Sequence, residues 1–349
     1  MSICTGSSVS RKDFEDVING FLKSISYRRP EVHANILALK DATEARLLAT
    51  GVSADLIARI QMFVETGVAA SSCTYSHTSR EVQEAIAEYS VLAAAIDDLA
   101  VNMTEDLRTF ASKILRGQPL EHELLCSTKI WMETKRLLFG EFAGDMIVKS
   151  TLDFLSISNF EAKIEKTDIL RGSSCAPETA EYLRDKSGAG EVYALFIFPE
   201  DQFPENRYLE SYLPAIPYFI QYVDLVNDVI SFYKEEQQHE RNNFIHIYAR
   251  SHSISPLEAL METRRRAVEV YHHAVGILSK DGDKRLLEAG LSFLHGYVTF
   301  HFCTPRYRLE TLDIPAVKED MGFVLGSGTS QADVCRNWFD NGPRNGVKV

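Results

Sequence analysis

Apolar residues recur at three- and four-residue intervals along most of this chain, the spacing that gathers side chains onto one face of an α-helix. On that periodicity helices are expected over about 11–25, 31–50, 53–69, 78–100, 103–116, 121–139, 141–165, 178–187, 205–236, 256–280 and 283–303. Breaks between them are few. Gly, Ser and Pro gather at 116–119, 171–177, 187–190, 199–204, 251–256 and 281–283. The stretch 253–258, with Pro256 near the first helical turn, reads as a helix start. The apolar run 192–198 has β-like composition, but no second strand is available to pair with it, so a buried helical turn is expected there. No period of 30–45 residues repeats, which disfavours a solenoid. From about residue 326 the chain carries Gly, Ser, Asn and Pro with little apolar content. The expected architecture is all-α, a single domain over 1–325 followed by a flexible tail over 326–349.

One predicted helix departs from the amphipathic pattern. Tyr218, Phe219, Ile220, Tyr222, Val223, Leu225, Val226, Val229, Ile230, Phe232 and Tyr233 make its middle apolar nearly all round, so it reads as buried. Within it lie Asn227, Ser231 and Glu235, an amide, a hydroxyl and a carboxylate at i, i+4 and i+8. At about 100° per residue these fan over only about 80° of helix surface. An arbitrary polar triplet at that spacing would be a solvated stripe. On a buried helix, polar side chains need partners. Three oxygen donors of graded charge suit a hard cation that keeps some waters and shares its shell with a phosphate. Lys234 is placed to reach the same anion.

The bulk composition of 349 residues, 45% apolar and 25% charged, is ordinary for a globular protein with a sizeable core. A formal charge of −12 disfavours nucleic acid or an anionic membrane surface as partner. It also means that an anionic substrate would need local cations. Cys4, Cys73, Cys126, Cys175, Cys303 and Cys335 are scattered without CxxC or metal-ligand spacing and read as reduced thiols. The Ser-rich start lacks an apolar signal region, and no apolar run approaches the roughly 18 residues of a membrane span. A soluble, cytoplasmic protein without stable membrane insertion is expected.

A phosphate-binding metal site draws acidic ligands from more than one helix. Asp97 and Asp98 end the apolar helix through 89–95. Alone, such a pair is usually a solvated helix end; it gains weight from the segment 227–235. Near the C-terminus, Arg306 and Tyr307 follow a buried-looking helix, where a guanidinium fork and a phenol suit a diphosphate. Tyr182, Leu183 and Arg184 lead into the helix break at 187–190.

This ordered set, from about residue 80 to about 310, resembles the class I terpene cyclases, and specifically the fungal trichodiene synthase family of sesquiterpene synthases. The resemblance implies an α-helical bundle around a central cavity, three Mg²⁺ ions and farnesyl diphosphate as substrate, ionised and cyclised with release of diphosphate. By matching positions it implies that Asp97, Asn227, Ser231 and Glu235 hold metal. Arg184, Lys234, Arg306 and Tyr307 would bind diphosphate, Arg306 and Tyr307 closing the catalytic site, and Asp98 would hold Arg306. The family's further acidic residue after the first aspartates is missing, since Leu99, Ala100, Val101 and Asn102 follow; Asn102 is the only oxygen donor there. Phe154, Tyr193, Phe196, Tyr218, Tyr222, Phe293, Tyr297 and Phe300 are candidates for an apolar cavity wall. The family often forms dimers, so a homodimer is a further expectation. A chain-elongating prenyltransferase is the alternative enzyme, disfavoured because a second aspartate-rich motif would replace Asn227–Glu235. A non-catalytic helical scaffold is the other. The product skeleton is not encoded in these motifs.

Overall fold

The computed structural model describes residues 9–31, 35–164, 177–187 and 189–318. The tail expected over 326–349 lies outside the described residues, as do the break at 171–176, Gly188, Cys4, Cys175 and Cys335. Among the described residues the chain forms α-helices and short 3-10 turns, and no strand. The first half runs α1 (Arg11–Ser24), α2 (Ile36–Ala49), α3 (Ala54–Arg59), α4 (Gln61–Thr74), α5 (Arg80–Leu99), α6 (Thr104–Leu115), α7 (Glu123–Lys135) and α8 (Glu141–Ile164). The second runs α9 (Pro177–Ser187), α10 (Gly190–Leu195), α11 (Glu205–Tyr212), α12 (Ile216–Gln237), α13 (Phe244–His252), α14 (Pro256–Leu278) and α15 (Lys284–Cys303). No helix among the described residues is long and apolar enough to cross a membrane.

The periodicity located most of these helices, and the run 192–198 pairs with no strand, its first part lying in α10, which ends at Leu195, and its last three residues forming a turn and bend. The differences have local causes. The helix expected over 205–236 is two, α11 and α12, separated by a 3-10 turn at Leu213–Ala215. Pro214 and Pro217 lack the N–H groups that a continuous helix would need there. The helix expected over 53–69 is broken at Ile60 into α3 and α4. The expectation omitted α13, a nine-residue helix whose N-cap Asn243 accepts from the His246 N–H. At α14 the start matches: Ser255 and Glu258 form a reciprocal capping box with Pro256 in the first turn.

One hydrophobic core joins nearly every helix. An aromatic cluster within it is Tyr89, Trp131, Phe139 and Phe196, with Trp131 donating to the Ala85 carbonyl at 2.8 Å. α4 is squeezed from two sides. A Cβ at Gly67 would stand 2.8 Å from the Val91 backbone nitrogen of α5, and one at Gly296 of α15 would stand 2.8 Å from the Thr74 Cα. Glycine at both positions brings the helix axes closer than any side chain would allow. The Glu205 carboxylate caps α8, accepting from the N–H groups of Glu141, Phe142 and Ala143 at 2.9, 3.0 and 2.7 Å. These are donors that no helical carbonyl can satisfy.

Glu88 is a buried acid in this core, on α5 and 2% exposed. Burial pushes its carboxyl up to about 7, against the pull of Arg46 and Lys135. Below its ordinary value of 4.5 the group is protonated in folded and unfolded chains alike and does not affect stability. As pH rises towards 7 the unfolded chain loses its proton first, so ionisation favours unfolding. The Glu88→Gln variant should therefore match the native chain at low pH and exceed it at about pH 8 by up to about 3 kcal/mol. Denaturant melts at both pH values check this; an equal gap at both would mean that the carboxylate is compensated by its neighbours.

Candidate active site

A cavity of about 870 Å³ opens between α4, α5, α8, α12 and α15. That volume lies within the roughly 300–1,000 Å³ typical of small-molecule sites. Asp97, Asp98, Arg184, Asn227, Ser231, Lys234, Glu235, Arg306 and Tyr307 all line it. Nine residues spread over 210 positions of sequence thus converge on one cleft.

The Asn227–Ser231–Glu235 ladder lies on α12, whose other faces are buried as the apolar flanks require. Ser231 is 3% exposed, and its hydroxyl has no hydrogen-bond partner among the described residues. An unpaired buried hydroxyl costs free energy unless something meets it. Here it faces a cavity with an amide one turn before and a carboxylate one turn after. That donor set fits a hard divalent cation, with positions left for water and phosphate oxygen. Facing α12, Asp97 sits at the end of α5 with its side chain about half exposed. Burial of the cleft and the neighbouring Asp98 push its carboxyl up, while Arg306, Lys234 and Arg184 pull it down. Bringing a cation to that position would relieve the like-charge crowding. Among the described residues no three His, Cys, Asp or Glu side chains cluster to hold a metal, so the candidate ligand set leans on neutral oxygens. Asn102, the neutral donor considered after the aspartate pair, is exposed and is not among the lining residues.

Two of the expected diphosphate donors are already engaged by carboxylates. Arg306 makes a two-pronged pair with Asp98, Nη1 to Oδ2 at 2.9 Å and Nη2 to Oδ1 at 2.8 Å, and reaches Asp97 at 4.0 Å. Arg184 donates through Nε to Asp228 Oδ1 at 2.8 Å and through Nη2 to Asn227 Oδ1 at 3.2 Å, with Asp224 at 3.5 Å. Burial pushes Asp224 and Asp228 up to about 7, against the pull of that guanidinium. Lys234 forms no ion pair among the described residues. Tyr307 is buried, its hydroxyl 3.5 Å from Asn227 Nδ2, and burial raises its pKa.

The same cavity is also lined by Phe154, Tyr193, Tyr297 and Phe300, with Ala70 and Ala93. Phe196, Tyr218, Tyr222 and Phe293, also candidates from sequence, do not line the cavity. Phe196 belongs to the aromatic core, Tyr218 stacks on His273, Phe293 stacks behind Tyr297, and Tyr222 donates to the Leu294 carbonyl. Sequence reasoning gave no role to Asp224, Asp228 or His301. The first two stand one turn apart on α12 and so present paired carboxylates to one guanidinium, a signal visible in the sequence. His301 packs its ring against Tyr307 with centroids 4.4 Å apart, and burial lowers its pKa to about 4.

The family model "Trichodiene synthase (TRI5)" matches residues 44–322. The (E)-beta farnesene synthase of Metarhizium brunneum is 33% identical over 310 residues, covering 88% of this chain and 92% of that one. The alpha-cuprenene synthase COP6 of Coprinopsis cinerea is 31% identical over 246 residues, covering 70% and 73%. Among solved structures, a linalool/nerolidol synthase from Streptomyces clavuligerus aligns with a TM-score of 0.58 at 15% identity, covering 79% of this chain and 97% of that one. An a-eudesmol synthase aligns at 0.57, also at 15% identity, covering 80% and 97%. At that identity the structural likeness concerns the fold.

Proposed function

This chain belongs to the trichodiene synthase family of terpene synthases, lyases that act on prenyl diphosphates, and on that premise we propose that it is a Mg²⁺-dependent sesquiterpene synthase. Its substrate is farnesyl diphosphate, which it ionises and cyclises. The observation that carries this reading is that the amide–hydroxyl–acid ladder of α12 and Asp97 of α5 line one cavity whose wall also carries Phe154, Tyr193, Tyr297 and Phe300. The names of the two relatives, a farnesene and a cuprenene synthase, favour a farnesyl-derived product.

In this reading Asp97, Asn227, Ser231 and Glu235 hold the cations. When bound, these supply positive charge to the departing diphosphate. Arg184, Lys234, Arg306 and Tyr307 donate hydrogen bonds to its oxygens, which strengthens them as acceptors of the C–O bonding pair. For Arg306 that means trading its Asp98 contact for phosphate, and for Arg184 loosening its hold on Asn227. Phe154, Tyr193, Tyr297 and Phe300 keep water from the carbocation and offer ring faces to it, each worth about 0.5–2 kcal/mol. The aromatic and the charged residues of the cavity thus divide the work between chain folding and leaving-group departure.

Purified protein given farnesyl diphosphate and Mg²⁺ should release inorganic diphosphate and a volatile sesquiterpene seen by gas chromatography–mass spectrometry, and neither once the metal is chelated. Product from geranyl diphosphate alone would replace the substrate. Longer diphosphates formed with isopentenyl diphosphate would replace the reaction with chain elongation.

A further inference from the structure

We infer that His301 is a positioning residue that fixes which end of the Asn227 amide faces the cleft, an inference that rests on Asn227 being a cation ligand. His301 lies fully buried in the last turn of α15. Its Nδ1 is 2.7 Å from the Tyr297 carbonyl oxygen, which can only accept, so Nδ1 carries the ring proton. Arg184 holds the oxygen end of the Asn227 amide, so the NH₂ end faces Nε2, and a group that can only donate requires a bare lone pair there. Asn227 Nδ2 stands 3.3 Å from that lone pair and donates to it. On the opposite side of the same amide, Arg184 Nη2, which can only donate, is 3.2 Å from Oδ1. Both neighbours are therefore met by one orientation of the amide. The reverse would set NH₂ against a guanidinium and oxygen against a lone pair. The Tyr307 hydroxyl, 3.5 Å from Nδ2, offers a second acceptor on the His301 side. The chain Tyr297 C=O, His301, Asn227 thus turns the amide oxygen towards Arg184 and the cavity, where a cation can exchange for the guanidinium. Without the imidazole acceptor the amide is free to turn its NH₂ to the cation and repel it.

The test needs no turnover. On the native full-length chain, ¹⁵N spectra of the His301 ring should show the Nδ1-protonated neutral tautomer at neutral pH; the opposite tautomer overturns the inference whatever the variants do. By calorimetry with Mg²⁺ and inorganic diphosphate, His301→Phe should weaken binding roughly 10- to 100-fold. His301→Gln, which keeps an acceptor near the Nε2 position, should recover most of the loss. In an Asn227→Asp background the carboxylate has no wrong end, so His301→Phe should cost little there. Equal losses in both backgrounds would mark His301 as merely structural, and unchanged binding by His301→Phe would remove its role. Unchanged binding by Asn227→Leu would remove the cation site itself, and this inference with it.

Discussion

Replacing Asn227 with leucine, or Glu235 with glutamine, is expected to lower turnover of farnesyl diphosphate by roughly 10²–10³-fold or more. Both substitutions keep the helix and nearly the same side-chain volume on α12, so the backbone has little reason to rearrange. Asn227→Leu leaves its rung of the ladder without an oxygen, and Glu235→Gln exchanges one of two carboxylate oxygens for NH₂. Asn227→Leu takes away the carbonyl that now meets Arg184, and Glu235→Gln removes the ladder's only formal charge. A thermal-shift series separates loss of ligand from loss of fold. The native chain should gain stability with Mg²⁺ and inorganic diphosphate together, since ligands that bind only the folded state raise its melting temperature. Glu235→Gln should melt like the native chain without ligand; Asn227→Leu, which strands the buried His301 Nε2 and an Arg184 N–H, should melt a few degrees lower, and neither should gain much with ligand. Near-native turnover in either variant would take α12 out of the metal site.

The second large effect is on stability. Gly296→Ala adds a methyl group 2.8 Å from the Thr74 Cα and closer still to the Cys73 carbonyl oxygen. Both obstacles are backbone of α4, which Gly67 already holds against α5, so no side chain can rotate out of the way. Overpacking of this kind costs about 1–3 kcal/mol, and obstacles that are backbone place it towards the upper end. A melting temperature several degrees lower is expected, together with reduced activity, because α15 carries Tyr297 and Phe300 into the cavity wall. Gly276→Ala is the matched control. It lies exposed on α14 with nothing within 4 Å of its added Cβ, so replacing glycine in mid-helix should stabilise by about 0.5–1 kcal/mol. Similar melting temperatures for both variants would mean that α4 and α15 can separate without penalty.

What the sequence disclosed depended on the range of the interaction. Helices were legible because a 3.6-residue period is local, and the ladder on α12 was legible because its three donors share one helix face. The break at Leu213–Ala215 is local too, yet continuous apolar residues on both sides of Pro214 and Pro217 masked it. α13 was hidden for a different reason: nine residues following a polar stretch give too few repeats to establish a period. The pair Arg306 and Asp98, 208 positions apart, came from resemblance and not from the residues themselves. The engagement of Arg184 by Asp228 and Asn227, and the orientation of Asn227 by His301, depend on how α9, α12 and α15 meet. No spacing along one segment encodes that meeting.

The Glu205 cap on α8 reaches further than the three N–H groups it satisfies. α8 spans 24 residues, about 36 Å, and Phe154 lies about 20 Å along it from the capped end. The Glu205 contacts fix one end of the helix, and α5, α6, α9 and α10 pack along the rest of it. Tilting it by about 5° around the capped end would sweep the Phe154 ring some 1.7 Å, estimated as about 20 Å times the sine of the angle. A shift of that size reshapes the mould in which the carbocation folds. Altering residue 205, outside the cavity and on another part of the chain, would then change the mixture of hydrocarbons released while every residue lining the mould stayed the same.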